Sequence, residues 1–340
     1  MMKTDVTPMD DQRSEATPGL MRAAVQHGYG TALAVEERPL PEPGPGQVLV
    51  RVEAAGVSRG AWHLAVGKPY AVRLALGLRR PRNPVPGLEV TGRVAAVGAE
   101  VTQWSVGDAV MGMGRATFAE HALADAKALV ARPDDLDVAE AAGMTDPGST
   151  AHQALHRHAR IGAGERVLVI GASGAVGSFA VLFAVAAGAE VVGVASEGKA
   201  DFVRGLGAKD VIDYRREAID ARGGGYDVVL DIAGNRSVRE LRRVLALKGR
   251  LVIVGGEDGG PLLGGLGRQV RARLLGLFTG QRMTGMLARP TAAAIEELLA
   301  VHRAGGLAPV VTRRYSLDEA GQALHDLEAG RVTGKTVVVL

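Results

Sequence analysis

The chain is 340 residues long, with 40 basic and 37 acidic side chains, a net charge of +3, 47% hydrophobic residues and no cysteine. That length and apolar content suffice for two domains with buried cores, while the missing cysteines exclude disulfides, thiolate catalysis and cysteine-ligated zinc. Charges of both signs are interspersed, no basic tract alternates with aromatic residues, and no apolar run is long and uncharged enough to cross a bilayer. Nucleic acid and membrane are therefore poor partners, and a small molecule is the expected one.

In chain order, residues 1–20 carry acids, two prolines and no apolar core. They read as a disordered leader and not as a secretory signal, so the expected location is the cytoplasm. From 21 to 144 the texture is β-rich, with short strands over 48–54, 90–97 and 109–112 between turns dense in glycine and proline. From 145 to 287 strand and helix alternate, as a parallel sheet requires, with strands at 166–170, 190–195, 210–213, 226–231, 250–254 and 273–278. A helix near 291–304 leads back to β character at 310–314 and 336–340. The predicted architecture is α/β: a β lobe over 21–144, completed by 288–340, around a six-stranded, doubly wound parallel-sheet domain over 145–287. The apolar edge strand expected at 274–278 invites pairing with its copy, so a homodimer is predicted.

The most informative stretch is 166–177, Arg-Val-Leu-Val-Ile-Gly-Ala-Ser-Gly-Ala-Val-Gly. A strand runs into a glycine turn that reads A-x-G-x-x-G, with Ala172, Gly174 and Gly177 at the small positions and Ser173, Ala175 and Val176 between them. Gly174 lets the backbone approach a pyrophosphate, and Gly177 lets the following helix pack against the strand. The helix N-terminus then offers free N–H groups to the phosphates. An apolar helix face (Val176, Ala180, Phe183, Ala184, Ala187) and a second strand at 190–195 complete a βαβ unit. A bound dinucleotide is predicted. A second glycine-rich stretch, 255–267, leaves the C-terminal end of a central strand, where open α/β sheets bind ligands; it suits a mobile loop beside the nicotinamide, with Gly255 at the cofactor, or an inert surface loop.

The order of motifs resembles the medium-chain dehydrogenase/reductase superfamily over residues 21–340. Carrying the resemblance are Pro-Gly-Pro-Gly-Gln-Val-Leu-Val-Arg-Val (43–52), Ala-Ala-Gly-Val (54–57), Pro-Gly-Leu-Glu-Val-Thr-Gly-Arg-Val (86–94), Val-Gly-Asp-Ala-Val (106–110) and the glycine turn. Leu-Gly-Ala (206–208), Val-Ile-Asp-Tyr (211–214), Gly-Arg-Leu-Val-Ile-Val-Gly (249–255) and Gly-Lys-Thr-Val (334–337) add to it. The resemblance implies a GroES-like β-barrel lobe and a Rossmann domain. In zinc-dependent relatives a cysteine follows the Ala-Gly-Val stretch and a His-Glu pair sits in the Pro-Gly segment; here Ser58 and Leu88 stand there, with Glu89 surviving alone. The chain is therefore similar to the zinc-independent quinone oxidoreductase and alkene reductase branch, and no metal is expected.

The second strand of the dinucleotide unit ends in Ser196-Glu197-Gly198-Lys199. Ser196 can hydrogen-bond a 2′-phosphate and Lys199 can neutralise it; in NADPH-dependent relatives the matching Ser and Lys do so together with the Tyr matching Tyr214. NADPH is the expected cofactor. Glu197 would repel a phosphate if it pointed inward, and Lys199 and Arg215 could instead be ordinary solvated charges.

Without a metal, the protein must polarise a carbonyl and exclude water while hydride leaves C4 of the nicotinamide. Conjugate reduction of an enone, enal or quinone suits such a site. Carbonyl or alcohol redox in a biosynthetic tailoring step, and NADPH binding without turnover, are the alternatives. The resemblance implies that Tyr70, Ser58 and Thr150 line the cleft, Tyr70 as a hydrogen-bond or proton donor or as an amphipathic wall residue. Relatives typically read Leu-Pro before small or apolar residues where this chain has Met144-Thr145-Asp146-Pro147. Asp146 is then a general acid/base or substrate-orienting group, or an N-cap for a helix starting near Thr150. His152 and His156 lie one helical turn apart and are expected to serve helix packing and not a metal. Arg79, Arg80 and Arg82 form a solvated rim, or greet an acidic or phosphorylated substrate.

Overall fold

The structure is a computed structural model that describes residues 19–256, 260, 265–276, 279–288, 290–305 and 310–340. Most of the expected leader lies outside the described residues, and Leu20 already opens the first strand. Strands β1 (Leu20–Val25) and β2 (Ala34–Pro39) form an antiparallel pair. β3 (Gln47–Val57), β4 (Glu89–Val97), β5 (Ala109–Met113), β6 (His121–Asp125) and β7 (Leu129–Ala131) follow, with helices α1 (Arg59–Val66) and α2 (Arg73–Leu76) between β3 and β4. Helix α3 (Val138–His152) leads into the second lobe. There β8 (Arg166–Ile170), α4 (Ala175–Ala186), β9 (Glu190–Ala195), α5 (Ala200–Gly205), β10 (Asp210–Asp213) and β11 (Tyr226–Asp231) are followed by α6 (Val238–Val244), β12 (Leu245–Ile253), α7 (Leu266–Gly276) and β13 (Arg282–Gly285). Helix α8 (Ala292–Arg303), β14 (Val311–Ser316), α9 (Ala320–Glu328) and β15 (Lys335–Val339) close the chain.

The second lobe holds a six-stranded parallel sheet in the order β10-β9-β8-β11-β12-β13. Its central strand shows why the sequence reads as it does. Val167 and Val169 enter the core on one face with Phe179 and Phe183 of α4, whereas Leu168 and Ile170 enter the opposite core with Leu241 and Val244 of α6. A strand buried on both faces has no polar side, so it appears as a continuous apolar run. The strand order reverses between β8 and β11, which opens a crevice at their C-terminal ends.

The first lobe is a mixed sheet ordered β14-β15-β3-β4-β5-β7, with β6 also paired to β3. Register shifts at Leu49/Val50 and Val52/Ala54 let the long strand β3 curve between its neighbours. The chain's end returns here: β15 runs antiparallel to β3, with Thr336 opposite Val57 and Val339 opposite Ala54. The fold is thus the expected α/β pairing of a GroES-like β lobe with a doubly wound Rossmann lobe. Ile295, Leu298 and Leu299 of α8 join the core of the second lobe.

One element differs. The strand expected at 273–278 is the end of helix α7, and the sixth strand is β13; residues 277–278 lie outside the described set. Ala272 is buried and Leu275 packs beside it, while Val270 and Leu274 face solvent. That is helical spacing, and the adjacent Leu274-Leu275 pair imitates a strand only when read without the Arg268-Arg271-Arg273 pattern around it. The apolar edge behind the expected dimer is therefore absent at 273–276, and the edge strand there is Arg-Met-Thr-Gly, of which Met283 is buried.

Helix α3 joins the lobes. Asp137 caps it by accepting from the N–H groups of Ala139 and Glu140 at 3.0 and 3.2 Å. It packs on α4 of one lobe and on β3, β4 and β15 of the other. From Ala141 to Thr150 every residue is buried except Asp146. Its continuation, Gln153–Ala159, is wound as a π-helix.

Candidate active site

The glycine turn lies at the strand reversal, between β8 and α4. Gly171 takes φ +88°, and a Cβ on Gly177 would stand 2.0 Å from the Gly171 carbonyl oxygen, so neither position tolerates a side chain. Gly174 is different: a Cβ there would meet nothing nearer than 3.5 Å. The helix does not need this glycine for packing; the open space above it is where a pyrophosphate fits. Gly174 caps α4 without any side-chain hydrogen bond, which leaves the first N–H groups of Ala175, Val176 and Gly177 for an anion. Ala172 is buried and Ser173 nearly so. The Ser173 carbonyl accepts from the Gly334 N–H at 2.8 Å, so the turn touches the C-terminal segment of the first lobe. These residues fit a dinucleotide.

At the end of β9, the Tyr214 N–H donates to Ala195 O at 3.3 Å, which sets Tyr214 next to Ser196. Lys199 Nζ donates to the carbonyls of Gly330 and Val332 at 2.7 and 2.5 Å. Two of its three donors thus tie the lobes together and one remains. Burial, and Arg215 nearby, hold its pKa below the ordinary lysine value. Glu197 is turned aside, paired with Arg216 at 2.9 Å in solvent. Arg331, between the two carbonyls that Lys199 grips, is a cation at this end that the sequence did not flag; its guanidinium bonds Asp326 at 3.0 Å.

Gly255 follows β12 by two residues, and a Cβ there would strike Ile232 O at 1.9 Å. Its N–H donates to Asp231 O, and the Asp231 carboxylate is fully buried, ion-paired with Arg268 and bonded by the Gly234 N–H at 3.1 Å. This pair, unforeseen from sequence, braces the loop bases at the C-terminal edge of the sheet. Most of 257–264 lies outside the described residues, so the expected mobile loop does too.

At the inner wall, Ser58 caps α1, its Oγ accepting from the Ala61 N–H at 3.3 Å. Leu88 Cδ1 and Ser58 Oγ both border Gly60, within 3.1 and 3.5 Å of where its Cβ would be. The place of two metal ligands in zinc relatives is thus filled by a hydroxyl and a leucine. Glu89 is fully buried and its Oε1 accepts from Lys335 Nζ at 2.6 Å; Lys335 itself is 1% exposed. The Glu89 carboxylate lies so close to Gly56 that a Cβ there would be 2.5 Å away. Among the described residues no group of three or more His, Asp or Glu could hold a metal. This donor set does not fit a catalytic zinc.

Asp146 stands one turn before Thr150, whose Oγ1 lies 3.5 Å from Asp146 Oδ1. The cap alternative fails, because α3 begins at Val138 and Asp146 is in its interior, followed by Pro147. Burial pushes the Asp146 carboxyl above its ordinary pKa, opposed by Lys335 and by the Thr150 hydroxyl. Burial likewise pushes Glu89 up to about 7, with Lys335 opposing and Asp146 adding to the rise.

Tyr70 is 42% exposed, under the Arg73 guanidinium at 4.7 Å from its ring, and no described contact joins it to Ser58, Asp146 or Thr150. Arg79, Arg80 and Arg82 line a separate concavity of about 580 Å³ with His27 and Arg38. The His152 and His156 rings lie 4.5 Å apart, tilted by 40°, and rest against Phe183, with Glu297 3.5 Å from His152, as packing residues do. No helix among the described residues is long and apolar enough to cross a membrane.

Fold and turn together define a dinucleotide-dependent oxidoreductase built on the medium-chain dehydrogenase/reductase plan. Residues 44–161 match the alcohol dehydrogenase GroES-like domain, and residues 206–338 match a family described as zinc-binding dehydrogenase. The chloroplastic quinone-oxidoreductase QR1 of Triphysaria versicolor is 30% identical over 342 residues, covering 94% of this chain and 98% of that protein. The crystal structure of CurK enoyl reductase superposes with a TM-score of 0.81 at 26% identity, over 94% of this chain and 98% of that one. The mycobacterial protein Rv1454c complexed with NADPH gives 0.80 at 27% identity, over 94% and 100%. The chain belongs to the medium-chain dehydrogenase/reductase superfamily, in its quinone oxidoreductase branch, and is an enzyme that works with a nicotinamide cofactor.

Proposed function

We propose that the protein is a zinc-independent, NADPH-dependent reductase that transfers hydride to an activated C=C bond or a quinone. The observation that carries the reading is the composition of the inner wall: Ser58 and Leu88 stand where a zinc would need ligands, so no Lewis acid polarises an alcohol or a simple carbonyl there. A conjugated acceptor needs none, because its negative charge develops on a distant oxygen. When bound, the reduced nicotinamide supplies the hydride. The chain's residues do the rest. Gly174 and the α4 N-terminus hold the pyrophosphate, and Ser196, Lys199 and Tyr214 gather at the 2′-phosphate end. Thr150 and Ser58 border the reacting ring, and Asp146 faces the acceptor.

NADPH consumption with a simple cyclic enone and with a benzoquinone, before and after exhaustive chelation, tests this. Turnover of either acceptor, insensitive to chelator, is expected. Stoichiometric zinc whose removal abolishes activity, or turnover of alcohols alone, would overturn it.

A further inference from the structure

Two carboxylates and one ammonium, contributed by three separate elements, act on one another where α3 packs on β4 and β15. Glu89 comes from β4, Lys335 from β15 and Asp146 from α3. The Glu89–Lys335 pair is sealed from solvent on both sides. Gly143, one turn before Asp146, sits against the Lys335 stem, whose Cγ is 3.4 Å from where its Cβ would be, and the glycine itself is required by Val311, whose Cγ2 would stand 2.5 Å from that Cβ. Glu89 Oε2 is buried without a hydrogen bond of normal geometry among the described residues. Asp146 alone keeps contact with solvent in its stretch of helix. Thus one carboxylate is locked inside and the other keeps contact with solvent, on the same helical face as Thr150.

One buried ammonium can neutralise one carboxylate. A second ionised carboxylate beside it would leave an uncompensated negative charge in a poorly solvated place, which is costly enough that such a group keeps its proton. Helix α3 packs on α4, α8, β3, β4, β5, β14 and β15 and runs into the π-helix over 153–159; of the charged groups on the described residues of those elements, Lys335 acts on Asp146, and Asp146 in turn acts on Glu89. The balance is therefore set within the cluster.

We propose that Asp146 and Glu89 hold one proton between them beside Lys335, and that Asp146 delivers it to the substrate carbon after hydride transfer. This rests on the alkene reductase reading. In the step, hydride with its electron pair bonds to the β-carbon of an enone, and the C=C π pair moves to make an enolate. The enolate α-carbon then takes the proton as the Asp146 O–H bond breaks, leaving NADP⁺, a saturated ketone and an Asp146 carboxylate. Lys335 lies close enough to steady that carboxylate, and water entering by the cleft returns the proton. Asp146 is the catalytic residue; Glu89 and Lys335 are positioning residues. The titrations of the two carboxylates are coupled.

The test has an arm that needs no turnover. Infrared difference spectra of the full chain at neutral pH should show the C=O stretch of a protonated carboxylic acid, lost in Asp146→Asn or moved in Glu89→Gln. Its absence would overturn the proposal and leave the reductase reading standing. The second arm follows an α-substituted enone reduced with NADPH in D₂O. The wild type should place deuterium on one face of the α-carbon; Asp146→Asn should turn over ~10²-fold more slowly and scatter deuterium over both faces, while Asp146→Glu regains stereocontrol. Glu89→Gln leaves Asp146 alone with Lys335, so the basic limb of enone kcat should move to lower pH with KM for NADPH held. Full stereocontrol in Asp146→Asn would overturn the delivery step. A wild type with the carboxylic acid band but no enone or quinone turnover would overturn delivery together with the reductase reading.

Discussion

The two ends of the inter-lobe cleft handle charge in opposite ways. At the ribose end, Glu197 and Arg216 pair in solvent, Tyr214 and Arg215 are exposed, and Lys199 is half-buried against backbone carbonyls. At the inner wall, Glu89 and Lys335 are fully buried and Asp146 nearly enclosed. Exposed charges are screened and exchange partners cheaply, which suits a phosphate that must come and go. Buried charges cannot change state without a large cost, which suits a group that must hold a proton until the chemistry calls for it. On the proposed reading, affinity is assigned to one end and protonation to the other.

If that division is right, breaking the inner pair should do the most damage. Lys335→Met leaves Glu89 buried without its ammonium, and breaking one partner of such a pair costs about 3–5 kcal/mol. Urea unfolding should show that loss, and Glu89→Gln combined with Lys335→Met should recover much of it. A single variant within 1 kcal/mol or so of wild type would mean that the pair is solvated after all.

The next effect is a pH slope. Glu89 holds its proton to about 7 in the folded chain against an ordinary value of 4.5, so the unfolded chain releases it first as pH rises. Its contribution to stability is fully present below the ordinary value and is lost as pH climbs through about 7. The total is on the order of 3 kcal/mol. Unfolding free energies measured at about pH 4 and about pH 8 should differ by less in Glu89→Gln than in wild type, and an unchanged slope would assign it to other groups.

How much of this was legible beforehand follows the same division. The glycine turn announces itself because Gly171 and Gly177 are sterically obligatory and sit next to a strand whose two faces are both apolar. Five of the six Rossmann strands are read from such runs; the sixth is missed because its four residues, Arg-Met-Thr-Gly, bury one side chain, while the louder Leu274-Leu275 belongs to a helix. The expected cap at Asp146 is wrong for a related reason. The expected helix start lies near Thr150, yet α3 begins at Val138 and carries Pro147 within it. Glu89 and Lys335 are 246 residues apart, and no local pattern links them. A lysine opening the apolar strand Lys-Thr-Val-Val-Val is the one available hint that a buried counter-charge waits elsewhere.

At the exposed end the effects should be smaller and confined to binding. On the NADPH reading, Lys199→Ala would remove a charge-assisted contact worth roughly 1.5–3 kcal/mol to a 2′-phosphate. NADPH should therefore bind about tenfold or more weakly, with NADH little changed. Titration of both cofactors by nicotinamide fluorescence separates this from a general loosening of the cleft, which would weaken both equally because Lys199 also holds the carbonyls of Gly330 and Val332.

The smallest change should come from Glu197. Its carboxylate is paired with Arg216 in solvent, and such pairs contribute about 0–1 kcal/mol, so Glu197→Gln should leave unfolding within that range. The same substitution frees Arg216 and removes a negative charge two residues from Lys199, on the turn that begins at Ser196. NADPH affinity should then rise, by no more than about fivefold, since the gain is that of a screened surface charge. The gain should shrink as salt is added and should be absent for NADH, which has no 2′-phosphate. A rise shared by both cofactors, or one that persists at high salt, would place Glu197 against the dinucleotide itself and contradict the division between a solvated end and a buried one.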